Sequence, residues 1–595
     1  MRTLITATVL ALATGSVFAQ TIGPIQPVCP VAIQPVSTGV TARPAVNYSD
    51  NATRLDSMWM HSRENLQGYA TKEKFAPCLF YNPVEDDLSD QLGGFQSALV
   101  VNNPSPSLSA NVQVELRNRN GNLVTTLFTT ISPNGTWTRG VPELLALARG
   151  VGSARIVSDQ PVVGSSLHYL DSVVIGGTRL SDPDILAPGE GTMQQLQAPQ
   201  RAGMNLYAGP MPLSNSSGFD FLNGNLPFYC VMNTTTTQTR IRAYKGTGGG
   251  ITFPTINTVL PGYGNFIDLT VWQAIEPLYS AGASTFDDNG WAYVSSETSP
   301  LVGDLYLADF FGDDSSIDPS MQKGTKFRVG SAIMANSPAV SLTGAEVTQQ
   351  ITVPLPRTDT MIGVLNASVV DAGPVRVTYR NRNGMVVGTN TVASLPPGQS
   401  LRLTPGTPGF PVAPTFHGWV EINACNASLV GWNMHEITRN GNNHFEKAYG
   451  EALVGANARE PGGSISVVQQ GIPVNRKVAS LARVSPWWWP SYHNFANNSV
   501  GNVGNYWFRF YGLAGNDVTN YANQPYAGLP FGSTSFTYQD GLNPQVNVFF
   551  DQNVSGRVDV TNGSVIGVSA IGDPMREWGI PFYPNGTAPG LLKRR

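Results

Sequence analysis

The chain is poor in charge. Only 13% of its 595 residues are Asp, Glu, Lys or Arg, and 36 basic against 40 acidic residues leave a net charge of −4. Ordinary soluble proteins carry about 25%. No basic stripe is present to neutralise phosphates, which removes nucleic acid as a partner. Cysteine is scarce too: there are four, and none forms a CxxC, so zinc ribbons and dithiol redox centres have no support. Six histidines make no HExxH or other metal-ligand pair. Nucleophile-elbow, P-loop and dinucleotide-binding glycine patterns are missing as well, and together these absences point away from an enzyme. Beyond the first twenty residues every apolar run is broken by polar residues or glycine, so no membrane span is expected. Helical periodicity is nearly absent, PELLALARG (142–150) and LTVWQAIEPLY (269–279) being short exceptions.

Gly, Asn, Ser and Thr fill the gap left by charge. A neutral, amide-rich surface has little like-charge repulsion to oppose close association, which suits a protein that packs against copies of itself; a secreted β-protein of any kind has the same composition. Export is indicated directly. MRTLITATVLALATGSVFAQ has a positive start at Arg2, a short apolar stretch over 4–13 and a small-x-small end at Ala19. That is the layout of a cleaved signal peptide over 1–19, and it predicts a secreted protein, extracellular or at the cell surface.

The strongest signal is internal repetition. VQVELRNRNGNLV (112–124) and VRVTYRNRNGMVV (375–387) share RNRNG, and the same offset carries Gly135 onto Gly398. Weaker copies of the opening strand lie between and after. Asn103, Asn233, Asn366 and Asn497 mark the four openings at steps of 130, 133 and 131 residues, and Gly164, Gly303, Gly431 and Gly567 end the closing apolar runs. Within a copy the period is two: Val112, Val114 and Leu116 alternate with polar residues, as do Val375, Val377 and Tyr379. That is strand periodicity. Asn-Gly at 120–121 and 383–384 predicts a tight hairpin, since both turn residues tolerate positive φ. The expected organisation is a signal peptide (1–19), an extended N-terminal segment (20–92), sandwich units at 93–172, 226–310, 359–438 and 492–573, strand-adding connections at 173–225, 311–358 and 439–491, and a C-terminal tail (574–595).

This pattern of opening strand, NG hairpin, proline-glycine turn and closing strand GxAxIxSDxPVVG resembles the tandem immunoglobulin-like domains of secreted bacterial surface proteins. The resemblance implies an all-β fold of four tandem antiparallel β-sandwich units with extended connections; it carries no active-site residue with it.

Candidate sites are few. VSPWWWPSYHNF (484–495) places Trp487, Trp488 and Trp489 between prolines just before the fourth opening strand. An extended segment would turn Trp487 and Trp489 one way and Trp488 the other. The preferred reading is an aromatic wedge between units or subunits; the alternative is a sugar-stacking platform with Tyr492, His493 and Asn494 as hydrogen-bonding neighbours. Asp313, Asp314 and Asp318 in GDDSSIDPS are the best candidates for calcium, the one cofactor the sequence suggests, although a solvated turn has the same composition. Cys29 and Cys78 flank one N-terminal segment and are expected to pair in an oxidising compartment. Cys230 and Cys425 fall in different units, where they either staple them or remain buried thiols. Numerous Asn-x-Ser/Thr sequons matter only in a host that glycosylates its surface proteins. The sequence therefore predicts an exported, non-enzymatic structural protein that assembles as a rod or curved array with copies of itself. A glycan- or surface-binding adhesin is the second reading, and an enzyme with a site between units the third.

Overall fold

A computed structural model describes residues 71–81, 95–147, 150–170, 173–175, 178–180, 191–197, 206–211, 225–246, 249, 252–268, 290–310, 327–333, 341–351, 357–381, 383–404, 406–411, 415–425, 427, 429–438, 445–452, 454–455, 476–480, 491–497, 506–517, 534–538, 555–560 and 565–571. Residues 1–19, Cys29, the acidic stretch with Asp313, Asp314 and Asp318, and Trp487–Trp489 lie outside these residues.

The fold is predominantly β-strand, organised into several antiparallel sheets. The first repeat contributes β1 (Thr71–Phe80), β2 (Phe95–Asn102), β3 (Ala110–Asn118), β4 (Leu123–Ile131), β5 (Thr136–Gly140), β6 (Val151–Leu170), a small hairpin β7 (Val173–Ile175) and β8 (Thr178–Leu180), and β9 (Gly191–Gln195). The second contributes β10 (Leu206–Met211), β11 (Asn225–Asn233), β12 (Thr239–Gly246), β13 (Thr252–Leu260), β14 (Asn265–Asp268), β15 (Gly290–Ser296), β16 (Leu301–Phe310) and β17 (Phe327–Ile333). The third contributes β18 (Ser341–Ile351), β19 (Arg357–Asn366), β20 (Val375–Asn381), β21 (Val386–Val392), β22 (Ser400–Leu403), β23 (Thr415–Asn423), β24 (Leu429–Thr438), β25 (Phe445–Ala452) and β26 (Val454–Gly455). The fourth contributes β27 (Arg476–Ser480), β28 (Ser491–Asn497), β29 (Tyr506–Tyr511), β30 (Thr534–Tyr538), β31 (Ser555–Val560) and β32 (Val565–Ile571).

Register makes the repeats comparable. In each, the residue two before the marker asparagine pairs with the closing glycine: Val101 with Gly164, Val231 with Gly303, Val364 with Gly431 and Phe495 with Gly567. The residue one before it pairs with the first residue of the strand on the other side: Asn102 with Thr136, Met232 with Asn265, Leu365 with Ser400 and Ala496 with Thr534. The opening strand is thus central in one sheet. In the first three repeats a second sheet joins the hairpin strands to the start of the closing segment and to a leading strand, in the orders β4-β3-β6-β1, β13-β12-β15-β10 and β21-β20-β23-β18. In the fourth, the described part runs β29-β31-β27. The leading strands are the ones expected from the extended connections. In the first repeat the closing segment is one 20-residue strand, β6, which serves both sheets; elsewhere it is two strands.

The alternation read from the sequence fills the cores. Val112, Val114 and Leu116 pack with Leu99, Val101 and Ile156 in the first repeat, and Val375, Val377 and Tyr379 with Ile362, Val364 and Ile422 in the third. Each such side chain, fully buried, contributes about 1.5–3 kcal/mol. The marker asparagines end the opening strands by the same chemistry. Asn366 Oδ1 accepts from Ser368 N (3.0 Å) while its Nδ2 donates to Val370 O (2.8 Å) and Leu395 O (2.7 Å). Asn103 does likewise with Ser105 N, Leu108 O and Ile131 O, and Asn233 with Thr235 N, Thr237 O and Pro261 O. RNRNG also repeats in detail. Arg117 donates to Gly121 O and Arg380 to Gly384 O, while Asn118 and Asn381 each accept two backbone amides across the turn. The hairpin is longer than the two-residue turn expected: in the first repeat only Gly121 takes positive φ (79°), and Gly121 N donates back to Asn118 O. That is a type I turn closed by a glycine bulge. The first helical exception is a 3-10 turn, Pro142–Ala146; 269–279 lies outside the described residues.

The repeats touch in cyclic order. Leading strand β1 lies against β11 and β16, β10 against β19 and β24, β18 against β28 and β32, and β27 against β2 and β6. Hairpins of one repeat meet the proline-glycine turn of the next. Asn265 N, which opens β14, donates to Arg119 O (3.0 Å), Gln399 Nε2 donates to Gly249 O (3.4 Å), and Thr136 N donates to Leu513 O (2.9 Å), while Trp291 Nε1 of β15 also donates to Gly398 O (2.8 Å). The last contact joins repeat four to repeat one. The contacts thus close on themselves as a ring, the fourth repeat returning to the first. At the second junction Tyr207, Trp291, Leu365, Val430 and Trp432 form one apolar cluster.

Candidate functional site: a buried polar junction between the first two repeats

The first junction has an apolar centre of Phe75, Met232 and Val302, with Tyr263 beside it. Tyr263 sits at φ 56° in the turn that receives the first repeat's hairpin, and its ring lies under the guanidinium groups of Arg117 (4.3 Å) and Arg155 (5.1 Å). Around this centre the strands place polar groups that water does not reach. Lys74 and Cys78 come from β1, Ser97 from β2, Ser166 and His168 from β6, Cys230 from β11, and Asp304 and Tyr306 from β16; all are buried.

Gln197 ties the two repeats together. Its backbone pairs in both directions with Phe75, and its side chain crosses to the second repeat, donating to Gly303 O (2.8 Å) and Asp304 Oδ1 (2.5 Å) and accepting from Gly303 N (3.1 Å). A buried carboxylate with one amide donor is poorly compensated. Burial raises the Asp304 carboxyl well above its usual range, the Gln197 hydrogen bond acting against this. Lys74 donates to Leu196 O at 3.5 Å, and burial lowers its ammonium to about 7.

His168 sits in an aromatic corner, edge-on to Phe80 (5.3 Å) and Tyr306 (5.6 Å). Its Nδ1 is 2.7 Å from Ser97 Oγ, and its Nε2 faces Ser166 Oγ (3.2 Å) and Tyr306 OH (3.3 Å). Ser97 Oγ already accepts from Phe80 N (2.7 Å). Burial depresses the imidazole to about 3. A serine hydrogen-bonded to a histidine is the start of a nucleophilic dyad, but here both groups are fully buried and Asp304 is bonded to Gln197. The arrangement is that of a buried polar lock between two repeats, with Asp304 Oδ2 left without a hydrogen-bond partner.

His168 is a repeat element in register: it lies opposite Ser97 as His435 lies opposite Thr360, and Ser97 and Thr360 are each six residues before a marker asparagine. Sequence reasoning missed Gln197, Asp304 and Lys74, which come from separate strands and share no motif. The cysteines differ from expectation. Cys78 is a free, buried thiol and so is Cys230, so the Cys29–Cys78 pair is not formed. Local flanking in sequence suggested it, but β1 pairs with β6 and carries Cys78 to the second repeat. Cys425 is disulfide-bonded and Cys230 is not, so these two do not staple their units to each other. Tyr492 is part of β28, whose backbone is paired on both sides with β30 and β32; the aromatic segment thus ends where the opening strand begins. Among the described residues no group of three or more His, Cys, Asp or Glu is arranged to hold a metal ion, and no helix is long and apolar enough to cross a membrane. No protein-family model and no curated protein matches the chain.

Proposed function

We propose that the protein is an exported, non-catalytic structural element. In this reading four immunoglobulin-like sandwiches in tandem, closed into a ring, assemble with further copies at or outside the cell surface as a surface layer, sheath, filament or matrix component. The observation that carries it is the state of the outer edge strands. Among the described residues β4, β13 and β21 pair on one side only. Isolated proteins protect such edges with charge or proline, because unpaired backbone groups recruit another strand. LVTTLFTTI (β4) and VVGTNTV (β21) contain neither. Phe128 is 76% exposed, and Leu123, Met385 and Val387 are exposed beside the same hairpins. Only β13 holds a proline, Pro254. Edges at like positions around a ring favour strand-to-strand joining in more than one direction.

The test is sedimentation and negative-stain microscopy of the mature protein beside a Phe128→Lys, Val387→Lys variant. The parent should form ordered assemblies and the variant should remain a single ring with unchanged melting. A parent that stays monomeric at every concentration, or a variant that assembles equally well, removes the reading. The second reading, a glycan- or surface-binding adhesin, rests on the position of Trp487–Trp489 just ahead of β28. It expects a Trp487→Ala, Trp489→Ala variant that melts and assembles normally but loses sugar binding on a glycan array. Calcium at Asp313, Asp314 and Asp318, in the connection between β16 and β17, would show as a calcium-dependent rise in melting temperature that Asp314→Asn abolishes.

A further inference from the structure

The two free thiols of the described chain are brought together from positions 78 and 230, on different repeats. Cys230 Sγ lies 3.2 Å from Pro77 O, the carbonyl of the peptide that leads into Cys78, and donates to it. Cys78 is the next residue along β1, close enough for its thiol to act directly on that of Cys230. The same carbonyl accepts from Asn265 Nδ2 (3.0 Å), which donates in addition to Gly152 O (2.9 Å), so the backbone carrying Cys78 is fixed to the second repeat by its neighbour. Both cysteines are fully buried. Single buried cysteines usually behave as small apolar side chains. Two in mutual contact across an interface, in a chain whose Cys425 is already oxidised, are a different case.

We infer that Cys78 and Cys230 are the site of an inter-repeat disulfide that covalently locks the first junction of the ring. The step is thiol–disulfide exchange with a low-molecular-weight disulfide of the glutathione type. One thiolate attacks the oxidant and releases one small thiol, forming a mixed disulfide; the second cysteine then displaces the other small thiol and closes the Cys78–Cys230 bond. Two protons and two electrons pass from the cysteines to the oxidant, which leaves as two thiols. Burial pushes the Cys230 thiol up, with the Asp304 carboxyl acting in the same direction. The thiolate is therefore scarce in the closed junction, and exchange proceeds while the junction forms or opens.

The experiment uses the full chain, purified under reductant and divided into three portions. One is kept in reductant, one is incubated folded with glutathione disulfide, and one is unfolded in urea and refolded with glutathione disulfide. Each is quenched with N-ethylmaleimide in denaturant, digested without reduction and analysed by mass spectrometry. The refolded portion should yield a peptide joining Cys78 to Cys230, lighter by two hydrogens than its separated halves, with maleimide lost from both sites; the folded portion should yield the same product more slowly. Cys78→Ser should leave Cys230 carrying maleimide or glutathione. If that variant does not fold, the parent's linked peptide decides the question alone. Maleimide or glutathione on both cysteines after oxidative refolding would overturn the inference, and so would either cysteine linked to a different one.

Discussion

The first and second junctions of the ring have the same framework and opposite chemistry. Phe75, Met232 and Val302 at the first correspond in register to Tyr207, Leu365 and Val430 at the second. One residue after the closing glycine, however, the first has Asp304 and the second Trp432; three residues before the marker asparagine, the first has Cys230 and the second Gly363. A duplicated domain with uniform interfaces could close in the wrong order, since any leading strand would fit any neighbour. A buried acid facing a glutamine and a buried indole facing tyrosines cannot exchange without stranding a polar group in an apolar site. Specificity between near-identical parts comes from what the wrong pairing would leave unpaired.

The hardest way to break the distinction is to place the first junction's acid in the second. Trp432→Asp removes a large buried side chain and adds a carboxyl without a glutamine partner; urea denaturation should show a loss of about 4 kcal/mol. Next, Gln197→Ala strands Gly303 and Asp304 and should cost about 2–3 kcal/mol, read as earlier protease cleavage between repeats one and two.

The pH response sharpens the contrast further. The folded His168 titrates near 3 against an ordinary 6.5, so the unfolded chain takes up a proton first and stability is lost as pH falls from 6.5 towards 3. The groups around it, Ser97, Ser166, Phe80 and Tyr306, are uncharged there. Asp304 opposes this: burial raises its folded carboxyl, so it adds stability as pH falls towards 3.8, where the unfolded carboxyl also becomes protonated. Lys74, charged in both states below about 7, adds nothing in this window. Asp304→Asn should therefore steepen the acid loss of stability towards the histidine's own limit of about 1.4 kcal/mol per pH unit between 6.5 and 4, in urea midpoints measured at each pH. A parallel pair of curves would remove the assignment. The smallest effect belongs to the second junction: Gln399 reaches Gly249 O only at 3.4 Å, in a solvent-exposed bond, so Gln399→Ala should change stability by less than about 0.5 kcal/mol.

Much of the fold was legible because strand register is written locally. An asparagine that stops a strand by bonding the next turn needs its partners at fixed spacings, so Asn103, Asn233 and Asn366 recur with their serine or threonine two residues on. Val112 and Val375 alternate with polar neighbours because each faces a core on one side only. The ring and its polar junction were not legible. Leu513 meets Thr136, and Gln197 meets Asp304, across distances along the chain that no short pattern records. The error over Cys78 has the same root: nearness in sequence was read as nearness in space, whereas an edge strand belongs as much to the neighbouring repeat as to its own.

Closure also changes what it takes to dismantle the molecule. In an open string of domains each end has one neighbour, and a single failed contact frees it. Here every repeat is held from two sides, so one cut in a connecting segment, or one weakened junction, leaves all four in place. Release of a repeat requires both of its interfaces to fail while both flanking connections are severed, and the surviving interface keeps the broken one at high local concentration for re-formation. A ring of individually modest contacts therefore resists proteolysis by requiring coincident failures, whatever the strength of any one contact.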